Sequence, residues 1–203
     1  KVITTLDYDK QLIAEEAIKN GIAAKGDAYG FNNAALIALD PKTGQVLSMV
    51  GSKGYFEEEI DGAVNVTTAL RQPGSSFKPI VYTAGFVEGY TPNSILYDVL
   101  TTFKTEVSDY TPNNYTLGSE NGPVTIRKAL QGSLNIPAVK MIALIGVEKV
   151  LNFAESLGYT SFADRSRFGL AIVLGGAEVK LIEHAAAYGA FANDGAQHKT
   201  ASI

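Results

Sequence analysis

The chain of 203 residues contains no cysteine and only two histidines, His184 and His198. The first lack excludes disulfides, thiolate zinc sites and a cysteine nucleophile. It is compatible with an oxidising, extracytoplasmic setting. The second leaves nothing for a histidine-rich metal site, and no Asp-x-Asp-x-Asp loop offers calcium ligands. No metal and no cofactor is expected. Lysine and arginine are not clustered, and the net charge of −4 speaks against a nucleic-acid surface. Apolar runs such as residues 169–173 are far too short to cross a bilayer. Lys1-Val2-Ile3-Thr4-Thr5 has no signal-peptide character and reads as a cut inside a longer chain. His184 sits in a helical stretch with no serine-bearing elbow beside it, so a Ser-His-Asp triad is not expected.

What is present is a globular composition, 46% hydrophobic and 19% charged, without repeats or low-complexity segments. The chain opens with a helix running from Asp7 or Asp9, its expected cap, to about Ala24. A β-hairpin is expected next, with strands 34–39 and 45–50 around the turn Asp40-Pro41-Lys42-Thr43-Gly44. Residues 52–70 are irregular, with a solvated Glu57-Glu58-Glu59 run. The stretch 98–122 reads as a long extended loop with one short pairing at most. Loops of this length inside a domain are often functional, and residues 110–115 form a candidate cleft wall. The remainder is helical: a Thr125-capped helix, a break over 132–137, helices over 138–145 and 147–157, and a last helix over 179–193. Residues 168–176 are expected to be buried strand or loop.

One stretch concentrates chemistry: Arg71-Gln72-Pro73-Gly74-Ser75-Ser76-Phe77-Lys78-Pro79. Pro73-Gly74 is a turn signal, Ser75 and Ser76 are good caps, and an apolar run follows that Gly89 can end in a left-handed cap. Pro79 is harmless only in a first turn, so the helix should begin near Ser75 or Ser76. Ser75 and Lys78 then share a face one turn apart. The positive helix end would stabilise an oxyanion at Ser75 and lower the pKa of Lys78, giving a nucleophile and base without histidine. A second polar pair, Ser133 and Asn135, falls at the break between helices. Each pattern alone is short, and Ser133 and Asn135 also suit ordinary turn and cap roles.

Together, Ser-x-x-Lys followed by Ser-x-Asn resembles penicillin-binding proteins and serine β-lactamases. Residues 71–79, 110–115, 125–130 and 135–140 resemble segments of the class A (bifunctional) penicillin-binding proteins. So do Thr4-Thr5-Leu6-Asp7, the hairpin 40–44 and residues 187–195, in the right order. The resemblance implies an α+β transpeptidase fold, with a helical subdomain and part of an antiparallel sheet. Residues 1–33 would be a linker and N-terminal helix, and 34–203 the front portion of the transpeptidase domain. It implies Ser75 as nucleophile, Lys78 as base, Ser133 as proton relay and Asn135 as a substrate ligand. The implied reaction is D,D-transpeptidation of peptidoglycan stem peptides ending in D-Ala-D-Ala, through an acyl-enzyme that β-lactam antibiotics mimic. The implied location is the outer face of a bacterial cell membrane. A β-lactamase, or a penicillin-acylated sensor without turnover, would share the first two motifs.

The family's third motif, Lys-Thr/Ser-Gly on a strand after the other two, is not matched. The only Lys-Thr-Gly, Lys42-Thr43-Gly44, precedes both and reads as a surface turn. The true motif is expected beyond Ile203. A two-stranded ribbon is marginal alone and offers an edge, so further strands are expected from the rest of the same domain, as a second chain or fragment.

Overall fold

The structure, a computed structural model, describes residues 1–105 and 108–203. Glu106 and Val107, in the expected long loop, lie outside the described residues. The chain folds into two compact units. One comprises residues 1–71, 155–161 and 179–203, the other residues 72–154 and 162–178.

The first unit is built on the hairpin β1 (Leu36–Leu39) and β2 (Val46–Val50), paired antiparallel with Leu36 opposite Val50 and an irregularity at Ala38/Leu39. Its turn forms as expected. Asp40 accepts from the Lys42 N–H through its side chain (2.8 Å) and from the Gly44 N–H through its carbonyl (2.8 Å), with Gly44 at φ +77°. Lys42-Thr43-Gly44 is thus a hairpin tip, in the unit that does not carry Ser75. Helix α1 (Tyr8–Tyr29) is capped by Asp7 and runs past the expected stop at Ala24 to Gly30, whose left-handed backbone ends it. Gly21 does not break it, because α1 is held along its length. Ala14, Ile18 and Ile22 bury against Val50 and Leu36.

α1 also closes an edge of the ribbon. The Gln11 amide accepts from Met49 N–H (2.9 Å) and donates to Met49 C=O (3.1 Å), imitating a strand neighbour. Asp7 N–H adds a bond to Leu47 C=O, and Thr5 Oγ1 one to Val46 C=O. Ala201 bonds Val46 N–H and bridges Gln45. The other edge of β1 pairs with no strand among the described residues. Helix α6 (Leu181–Ala192) packs on β1. Just before it, β6 (Val179–Lys180) pairs with β3 (Leu70–Arg71) where only helix was expected. Contacts from within the chain therefore stabilise the ribbon.

The second unit is mainly helical. It contains α2 (Lys78–Val87), α3 (Ile126–Gln131), α4 (Asn135–Ile145) and most of α5 (Val147–Ser156), with the antiparallel pair β4 (Ile95–Asp98) and β5 (Gly122–Thr125). Ile80, Val81, Ala138, Val139, Met141 and Ile142 are fully buried where α2 meets α4. Gly85 makes this close: a Cβ there would stand 2.6 Å from Met141 Sδ. Phe77 packs edge-on to Phe162, 5.9 Å between centroids. Residues 168–176, expected as strand or loop, instead form a 3₁₀ turn over Leu170–Leu174. No helix among the described residues is long and apolar enough to cross a membrane.

Candidate active site

α2 is prefaced by a 3₁₀ turn over Gly74–Phe77, so helical backbone starts one residue before the expected point. Pro79 falls in the first turn of α2, where its missing N–H costs nothing. The expected serine cap is absent. Ser76 Oγ instead donates to the Pro73 carbonyl at 2.5 Å. Ser75 stands exposed on the 3₁₀ turn, and its carbonyl accepts the Lys78 N–H.

Lys78 is the least ordinary residue of the unit. It follows Phe77 into the core and is 0% exposed. Its Nζ donates to the Ser133 carbonyl (2.6 Å), to Ser133 Oγ (3.2 Å) and to Asn135 Oδ1 (2.7 Å). Burial pushes its pKa down to about 8, because a low-dielectric surrounding penalises the ammonium. A lowered pKa was expected, but from the helix end; the dominant cause is desolvation.

Ser133 reaches Lys78 through a strained turn. α3 ends with Leu134 N–H bonded to Ala129 C=O (2.9 Å) and Ser133 N–H to Leu130 C=O (3.0 Å). This is a Schellman termination, whose left-handed position usually holds glycine. Here it holds Ser133, at φ +49°. A non-glycine residue there costs roughly 1–2 kcal/mol, and the outcome is that both oxygens of Ser133 meet one lysine.

Asn135 opens α4, with Pro137 tolerated in the first turn, so this helix starts three residues earlier than expected. Its Nδ2 donates to Asn113 C=O at 2.8 Å. Within the stretch 110–115 expected as a cleft wall, residues 113 and 114 both bond the start of α4. Three of the four expected site residues, Lys78, Ser133 and Asn135, are joined by hydrogen bonds from the one amine. Ser75 is one turn from Lys78 but makes no side-chain hydrogen bond to it among the described residues. His184 is in the other unit, where Nδ1 meets Tyr159 OH at 2.6 Å and burial pushes its pKa down. No group of three or more metal-ligating side chains occurs among the described residues.

Two features were missed in sequence. Gly175, at φ +87°, lies so close to Gly74 that a Cβ would be 2.4 Å from the Gly74 N. The turn after Leu174 thus braces the backbone just before Ser75. The other is the hydrogen-bonded pair of Asp98 and Asn114. The signal for Gly175 was its Gly-Gly step; buried Asp98 left none.

A family model for the penicillin binding protein transpeptidase domain matches residues 34–200. Among curated relatives, penicillin-binding protein 2D of Bacillus subtilis is 35% identical over 197 residues, covering 96% of this chain and 27% of the relative. Penicillin-binding protein 1C of Escherichia coli is 34% identical over 197 residues, covering 96% and 24%. Among solved structures, penicillin-binding protein 1A of Haemophilus influenzae superposes with TM-score 0.70 at 29% identity, covering 78% of this chain and 23% of that one. PonA1 of Mycobacterium tuberculosis gives TM-score 0.81 at 23% identity, covering 100% and 53%. The chain belongs to the penicillin-binding protein transpeptidase family and has its α+β fold. It spans about a quarter of the length of the curated relatives it matches.

Proposed function

We propose that this chain carries the acyl-forming half of a serine D,D-transpeptidase site that cross-links peptidoglycan stem peptides. The carrying observation is the buried Lys78 amine, one turn from exposed Ser75 and bound by Ser133 and Asn135. With a pKa of about 8, roughly a tenth of Lys78 is neutral at pH 7, about 300-fold more than for an ordinary lysine. The neutral amine takes the Ser75 proton as Oγ attacks the carbonyl between two D-alanines. The Ser75 N–H, at a helix start, stabilises the oxyanion. Ser133 passes the proton from Lys78 to the leaving D-alanine. Asn135 keeps one lone pair of Oδ1 and one N–H for a substrate amide. A neighbouring stem's amine then displaces Ser75 from the acyl-enzyme. Such acid–base help is worth roughly 10²–10⁴ in rate.

A β-lactam would acylate the same oxygen. Family membership supports a protein working on the outer face of the bacterial membrane. The unpaired edge of β1 supports further strands supplied by another segment or chain carrying the third motif. The test is intact mass after exposure to a labelled penicillin: one adduct is expected, absent in Ser75→Ala and strongly slowed in Lys78→Ala. Unchanged labelling of Ser75→Ala would end this reading.

A further inference from the structure

Asp98 is fully buried in β4, yet no cation forms an ion pair with it among the described residues. Lys140 Nζ is directed to the carbonyls either side of it, Tyr97 (2.7 Å) and Val99 (3.2 Å). The carboxylate is held instead by neutral donors: Asn114 Nδ2 (2.8 and 3.0 Å), Asn121 N–H (3.1 Å) and Asn121 Nδ2 (2.5 Å). The Lys140 ammonium is near enough to interact with the Asp98 charge but does not bond it. Burying a carboxylate without a direct ion pair is costly, so what it achieves is informative.

It fixes a direction. A carboxylate only accepts, so the Asn114 amide must turn its NH2 to Asp98. Its Oδ1 is then forced toward the start of α4, where it accepts from Asn135 N–H (2.8 Å) and Ile136 N–H (3.4 Å). α4 has no side-chain cap of its own; Asn114 provides one from another segment. The neighbouring Asn113 carbonyl, which also only accepts, forces Asn135 to present Nδ2 to it. Asn135 Oδ1 is left facing Lys78 Nζ, which only donates. Every amide between Asp98 and Lys78 has one allowed orientation: Asp98, with the Ser119 carbonyl on the same Nδ2 (3.0 Å), sets that of Asn114, and the Asn113 carbonyl and Lys78 set that of Asn135.

We propose that Asp98, acting through Asn114, is the positioning residue that aligns Asn135 and the Lys78 amine for acyl transfer. This rests on the functional reading of Ser75 and Lys78. In Asp98→Asn, the new amide has a single oxygen for the donors of Asn121 and Asn114, so its NH2 must face one of those donors. The Asn114 amide, still tied to the Ser119 carbonyl (3.0 Å), is then displaced from the start of α4. The exchange Asp98→Asn with Asn114→Asp restores direction between position 98, position 114 and α4, while giving up the contact to the Ser119 carbonyl, which only accepts. The amide at position 98 then accepts from Asn121 and donates to the carboxylate at position 114, which caps α4.

The experiment measures acylation of the full chain by a fluorescent penicillin over a range of concentrations. That separates the maximal acylation rate from the concentration giving half of it. Asp98→Asn should lower the maximal rate between about 10- and 100-fold, the penalty of a misplaced catalytic group, with the half-saturating concentration unchanged. The double exchange should recover part of the rate, short of wild type because the carboxylate at position 114 meets the Ser119 carbonyl. Wild-type rates in folded Asp98→Asn, or no recovery in a folded double exchange, would overturn the proposal. So would failure of both variants to fold, which would make the network structural. If Ser75→Ala labels normally, the underlying functional reading fails instead; if it does not label while Asp98→Asn acylates as wild type, only the positioning role falls.

Discussion

Replacing Lys78 with methionine gives a prediction that isolates the physics of the site. Methionine matches the length of the lysine stem and suits a buried position. Lys78 is fully buried, and its pKa falls from 10.5 to about 8. The shift corresponds to a stability penalty of about 3 kcal/mol for holding the ammonium inside the fold. Between pH 8 and 10.5 the unfolded chain binds a proton at this lysine that the folded chain has released. Stability therefore rises with pH across that window, with the penalty fully present below pH 8 and gone above 10.5. Buried Tyr82 and Tyr159, whose pKa values burial pushes up, oppose this near their own range but act on both proteins alike. The stability difference, wild type minus Lys78→Met, should thus climb by about 3 kcal/mol from about pH 7 to about pH 10.5. Loss of the donor to Ser133 and Asn135 adds an offset that does not vary with pH. Urea unfolding of both proteins at four or five pH values reads the difference directly. A difference that stays flat would mean Lys78 titrates normally, and the base role would lose its physical footing.

Acylation by a labelled penicillin should rise with pH to a plateau, its midpoint near 8, as neutral Lys78 accumulates; a rate independent of pH from about 6 to about 9 would count against it. Ser133→Gly should be more stable than Ser133→Ala by about 1 kcal/mol, since only glycine is at ease at φ +49°. Both should acylate slowly, a split visible by pairing denaturation with labelling. Gly175→Ala should destabilise by more than about 1 kcal/mol and slow acylation, because its Cβ would press on the Gly74 backbone; thermal melting and labelling rates check both.

The parts of the site legible in sequence were those written in short-range chemistry. Pro79 confined the helix start to within a residue, and the spacing of Ser75 and Lys78 followed. The hairpin 34–50 announced itself through its turn. What stayed hidden depends on contacts across long stretches of chain. Asn114 and Asn121 lie 16 and 23 positions from Asp98, within a segment that reads as a long loop, with residues 110–115 a candidate cleft wall but no sign of which side chain they would hold. Nothing local distinguishes a buried aspartate from a solvated one. The cap of α4 comes from Asn114 rather than from its own flank, so its start was placed late. The cause of the Lys78 shift was misjudged for the same reason. A helix end is visible in sequence, whereas burial exists only once α2 and α4 have packed.

The central claim is that Ser75 Oγ, and no other oxygen, takes up the acyl group. Its most direct test is peptide mapping by mass spectrometry of the protein after a short exposure to a labelled penicillin. The adduct should sit on Ser75, with adjacent Ser76, whose hydroxyl is committed to the Pro73 carbonyl, unmodified. An adduct on Ser76, on Ser133, or spread over several serines would contradict the account.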